Sequence, residues 1–156
     1  MSTHRLSSFA VLAATSATVA LAAAAAPAGA ATAHAGKLAP PVIRETFTPL
    51  RCTGSPGHRS TLQMEGCAEQ QILRSDRQID ALNAKIFKAL PTTSAKRDLI
   101  AGHKAWITYR RAYCLSVSDV FQGGTEAGVV AADCTATVNT QHEGNLKTFL
   151  ADLNSK

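Results

Sequence analysis

The sequence predicts a small all-α domain: an antiparallel bundle of three main helices closed by two disulfides. Three observations predict it. Apolar residues recur at three- and four-residue steps through the chain beyond residue 60, and no segment there alternates as a strand does. Two breaks, Pro91-Thr92-Thr93-Ser94 and Gln122-Gly123-Gly124, divide that stretch into three. Four cysteines, Cys52, Cys67, Cys114 and Cys134, are an even count in a short chain and read as two bridges.

Residues 1–35 stand apart from the domain. Arg5 precedes an apolar, Ala-rich run from Phe9 to Ala26, and small residues follow with A-x-A cleavage options ending at Ala30, Ala33 and Ala35. This reads as a secretory signal peptide. The run has the length of a bilayer helix, but it is mostly Ala and only weakly hydrophobic, so stable membrane insertion after cleavage is not expected. No Cys lies near the cleavage zone to carry a lipid. Cleavage after Ala33 or Ala35 leaves 121 to 123 residues, enough for one domain. Without Arg5, the 16 basic and 11 acidic residues leave a net charge of +4. Runs of Lys or Arg are absent, which argues against nucleic acid as a partner.

Residues 36–59 carry Pro40, Pro41, Pro49, Pro56, Gly54 and Gly57, and predict an extended, partly mobile leader pinned by Cys52. The helical domain spans residues 60–156. Its first helix begins near Ser60 or Thr61, where Ser60 and Gln63 offer a capping box, and runs to Leu90 before Pro91. Ile72, Ile79, Leu82, Ile86 and Leu90 form its inward stripe, and a break near Gly66 or Ser75 would relieve its length. Ser94 is the expected N-cap of the second helix, with Cys114 in its last turn. There Leu99, His103, Trp106, Arg110 and Tyr113 share one face. Thr125 is the expected cap of the third helix, along which Ala131, Cys134, Val138, His142, Leu146, Phe149 and Leu153 recur.

In an up-down-up bundle all four cysteines come to one end, so every pairing is open; Cys52–Cys67 and Cys114–Cys134 are favoured because each closes a local loop. Trp106, Arg110, Leu99 and Leu82 are assigned to the structural core. A buried arginine requires a carboxylate, and Glu65, Glu69 or Asp133 are the expected partners. His103 and His142 both face inward and read as satisfied histidines; with no third ligand in suitable spacing, no metal and no cofactor are expected. Ser116, Ser118 and Asp119 form no nucleophile elbow or ordered triad, so the chain is not read as an enzyme.

The segment Ala105-Trp106-Ile107-Thr108-Tyr109-Arg110, followed by Ala112 and Cys114, resembles the W-x-x-[YF]-R-x-x-x-C core of the lysozyme-inhibitor LprI-like N-terminal domain family. Cys67, Leu82-Asn83, Arg97-x-Leu99, Gly123-Gly124 and Cys134 follow the family order across about residues 50 to 150. His103 stands where glutamine is usual, Ile86 replaces an aromatic, Arg111 replaces an acid, and His142 replaces an arginine. The spacing from Cys52 to Cys67 is longer than typical. The resemblance implies an exported, periplasmic or extracellular, disulfide-linked module that binds a protein, a lysozyme in the namesake, by occluding the glycosidase cleft. Arg110, Arg111, Tyr113, Phe121, Gln122, Gly123 and Gly124 are the candidate partner-binding residues. Against this, a +4 domain gains no long-range attraction to a basic lysozyme, and no run of acids appears. The alternative is an envelope protein that binds a small molecule or cell-wall fragment in a pocket lined by Trp106, Arg110 and His103.

Overall fold

A computed structural model describes residues 37–155; the predicted signal peptide lies outside the described residues. Three helices follow in order: α1 Thr61–Ala89, α2 Thr93–Asp119 and α3 Thr125–Asn154, with no strand among the described residues. α1 opens on the capping box expected at Ser60: its hydroxyl accepts from the Gln63 N–H while the Gln63 side chain accepts from the Ser60 N–H. α1 is continuous through Gly66 and Ser75. The Ser75 hydroxyl donates to the Gln71 and Ile72 carbonyls, and so bonds within its own helix rather than breaking it.

Three boundaries differ from expectation. Thr92, not Ser94, caps α2, its hydroxyl accepting from the Ala95 N–H at 3.1 Å. α2 does not end near Cys114 but continues to Asp119, because its last turns are braced against α3 rather than left to fray. Gly124 rather than Thr125 is the N-cap of α3, and no side chain bonds there. The turn between them is tight, with Gln122 at φ 50° and Gly123 at φ 74°, the left-handed region that glycine adopts without a Cβ penalty.

The helices run up, down and up. α1 and α3 form the most extensive packing, and α2 lies on α3. The leader lies against both α1 and α2: its Pro41 is buried, and its Ile43 packs with Leu99, Trp106 and Leu150 around Ile79, Ile86, Leu90 and Leu146. Pro41 and Ile43 thus bring the leader onto the core. Its Ile43 N–H donates to Asp80 at 2.9 Å, its Leu50 N–H donates to Glu69 at 2.6 Å, and a Cβ on Gly66 would meet the Leu50 and Arg51 backbone at 2.8 Å. Gly66 thus keeps open the space in which the leader lies. Leu82 and Leu99 are half-buried, whereas Phe149, placed on the inward stripe of α3 by its spacing, is exposed. Both disulfides form as Cys52–Cys67 and Cys114–Cys134, at the pole where α1 and α3 begin.

Candidate functional site

The side chain at the centre of the bundle is Arg110, only 2% exposed. The α2 spacing turns it inward, where a charge requires several partners. Its Nη1 donates to Asp76 and to Asn139, both at 2.7 Å, and its Nη2 donates to Glu45 at 2.6 Å. Asn139 completes the layer, donating to Ser75 at 2.8 Å and Asp76 at 2.7 Å. The expected partners Glu65, Glu69 and Asp133 are not the ones used. Asp76 lies on the same α1 face two turns beyond Glu69, and Glu45 arrives from the leader, an element whose placement no helical periodicity could reveal.

Trp106 packs below this layer, half-buried, with the Arg110 guanidinium 5.0 Å from its ring and His142 stacked on it at 3.9 Å. His103 Nδ1 lies 3.0 Å from the Asn83 amide nitrogen, so the neutral ring accepts there. Burial lowers the His103 pKa, opposed by the charge of Asp80 and the Val42 backbone. Burial, with the charges of His103 and Arg110, lowers that of His142 to about 4. Asp80 moves the other way: burial raises it, against the Ile43 N–H that lowers it. Both histidines are thus held neutral. Trp106, Arg110 and His103, expected to line one pocket between the helices, do not share one: Arg110 borders clefts of about 290 and 230 Å³, and His103 borders a separate cavity of about 690 Å³ against the leader. Among the described residues no three His, Cys, Asp or Glu side chains converge as a metal would need, and no helix is long and apolar enough to cross a membrane.

The candidate partner-binding residues separate into three places. Arg110 is enclosed, its guanidinium covered by Asp76, Asn139 and Glu45. Arg111 and Tyr113, two residues apart on a helix of 3.6 residues per turn, point about 160° from each other and cannot share a face. Tyr113 falls on the inward stripe by its spacing, yet it is 46% exposed; it stacks on Tyr109, 55% exposed, with ring centroids 5.5 Å apart. Val120, 76% exposed, continues their line at helical spacing, a stripe that the inward-face reading of α2 overlooked. The stripe runs into the turn of Phe121, Gln122, Gly123 and Gly124. That turn is closed by Phe121 N–H to Ser118, Gln122 N–H to Asp119 and Gly124 N–H to Phe121, and braced by Cys114–Cys134. On the opposite flank Arg111 pairs with Glu45 at 2.6 Å, and exposed Leu115 follows one turn on.

Acids scattered along the sequence meet in space. Glu45, Glu65, Glu69 and Asp76 line a cleft of about 290 Å³ with Phe47, Ile72 and the start of α3. Glu65 lies directly over Gly128, where a Cβ would meet its carboxylate at 2.6 Å. A model of the family described as lysozyme inhibitor LprI matches residues 52–146. Neither a curated protein nor a solved structure matches the chain.

Proposed function

The chain belongs to the lysozyme inhibitor LprI family, and from that premise we propose that it is exported, binds a lysozyme and blocks the glycosidase cleft by occlusion. The observation that carries this reading is the exposed stripe of Tyr109, Tyr113 and Val120, which leads into Phe121 and a turn held by hydrogen bonds and a disulfide. Tyrosine offers a large contact area at low entropic cost and is enriched where binding energy concentrates. A turn that is already rigid loses little freedom on binding. The target cleft works through a pair of carboxylates that must reach the sugar, so a wedge over it stops the reaction without chemistry of its own.

Net charge governs long-range attraction, but Glu65 and Glu69, beside the arginine-paired Glu45 and Asp76, give the cleft a local acidic side that suits a basic partner. Two disulfides in so small a domain support an oxidising compartment, periplasmic or extracellular. The test is a muramidase assay of the oxidised mature domain against several lysozyme types. Inhibition is expected, and Phe121→Ala or Tyr113→Ala weakens it about tenfold with helicity unchanged. Absence of inhibition of every type at micromolar excess removes the reading.

A further inference from the structure

Glu45 joins two arginines at once. Its Oε2 lies 2.6 Å from the buried Arg110 and its Oε1 lies 2.6 Å from Arg111, whose side chain is 72% exposed. The leader is tethered on either side of it by the Ile43–Asp80 and Leu50–Glu69 hydrogen bonds, and between those tethers Glu45 carries the ion pairs to α2. Three clefts, of about 290, 230 and 690 Å³, border the residue, and Arg110, Ala131 and Thr135 line the first two with it. Its side chain therefore has room on each side. Glu45 also lies before Cys52, in the part of the chain outside the matched residues.

We propose that Arg110 and Arg111 form a carboxylate-binding site whose resident occupant is Glu45, and that an acidic side chain of the partner displaces it. The site stands on geometry alone; the identity of the partner rests on the function proposed above. The exchange is energetically mild. Arg110 keeps Asp76 and Asn139 on its other nitrogen throughout, so no buried charge is left bare. One charge-assisted pair replaces another with its count of hydrogen bonds unchanged. Arg111, Leu115 and the turn at Gln122 follow one flank of α2 over about 15 Å, so a partner seated on the turn reaches Arg111 with the same surface. Glu45 is then a competitor, and it weakens the complex it helps to shape.

Two measurements on the full mature chain test this. In Glu45→Ala, acetate is titrated against chloride at matched ionic strength, followed by thermal melting and by the emission of Trp106, whose ring lies 5.0 Å from the Arg110 guanidinium. Saturable restoration by acetate alone, lost in Glu45→Ala/Arg111→Ala, is expected; equal effects of acetate and chloride overturn the site. Should that variant not fold, Glu45→Asp, whose arm is one methylene short, takes its place in the same titration. In the muramidase assay, Glu45→Gln tightens inhibition about tenfold and Arg111→Ala cancels the gain. Unchanged inhibition by Glu45→Gln, with the wild type active, overturns the displacement and leaves the inhibitor reading standing. If every form lacks inhibition, the lysozyme reading and this partner both fall, and the acetate titration still decides the site.

Discussion

At the pole where α1 turns into α2, Ile79, Ile86, Leu90 and Leu146 are buried, with Ile43, Leu82, Ala95, Leu99, Trp106, Leu150 and Leu153 packed around them. At the opposite pole the buried cluster is Ala68, Ile72, Ala132 and Ala136, three of them with a single methyl group. Both disulfides sit at that second pole. A fully buried Ile or Leu contributes about 1.5–3 kcal/mol, and an alanine methyl well under half of that. The small residues let α1 and α3 approach closely but supply little hydrophobic stabilisation, and the bridges make up the difference. The comparison teaches where cross-links matter in this small domain: they sit where the core is thin, and the thick end has none. Between the poles lies the layer of Arg110, Asp76, Asn139 and Glu45.

The largest change comes from breaking that dividing layer. Arg110→Ala leaves Asp76 buried without its counter-charge, and a loss of about 3–5 kcal/mol is expected in urea unfolding. Next, the two poles can be weakened one at a time. Ile86→Ala empties a fully buried site at the apolar pole and costs about 3 kcal/mol in global stability. Cys114→Ser/Cys134→Ser opens a loop of 20 residues at a cost of about 3 kcal/mol. Hydrogen exchange should separate the two: the cysteine variant loses protection first at the end of α2 and the start of α3, while the isoleucine variant lowers it throughout. Equal loss of protection at both ends in the cysteine variant would refute the contrast.

A smaller effect tests the strap that spans both poles. Gly66→Ala places a methyl against the Leu50 and Arg51 backbone, and about 1–3 kcal/mol is expected, with faster proteolysis before Cys52.

The mildest change is in pH. His103 and His142 are depressed below their ordinary value of 6.5 in the folded chain, His142 to about 4, both chiefly by burial. The unfolded chain therefore binds more protons in that window, so stability is full above pH 6.5 and declines as pH falls toward about 4. Asp80, raised chiefly by burial, opposes this at the acid end, since protonation favours the fold there. His142→Phe keeps a ring against Trp106 and should flatten the decline in melting temperature over the same range.

Much of the fold is legible residue by residue. The capping box at Ser60, the stop before Pro91, the Gly-rich turn and the inward face of α2 are local signals, each settled within a few residues by hydrogen bonding or backbone freedom. The candidate site is less so. Tyr113 falls at a spacing that suits an inward stripe, but α3 and the leader together cover only the sector around Arg110 and leave the tyrosine flank open. Phe149 is exposed for the same reason: periodicity gives an angle around a helix, not the width of the neighbour that covers it.

Local pattern alone determined that this chain makes three helices, where they turn, and that its cysteines and arginine lie toward one interior. Only the tertiary structure decided which carboxylates meet that arginine, that a proline-rich leader bonds to both α1 and α2, and that acids distant in sequence line one cleft. The physical reason is range. Caps, turns and helical faces depend on neighbours within about four residues along the chain, whereas a buried charge is answered by whichever group the packing brings near, here one 34 residues away and another 65.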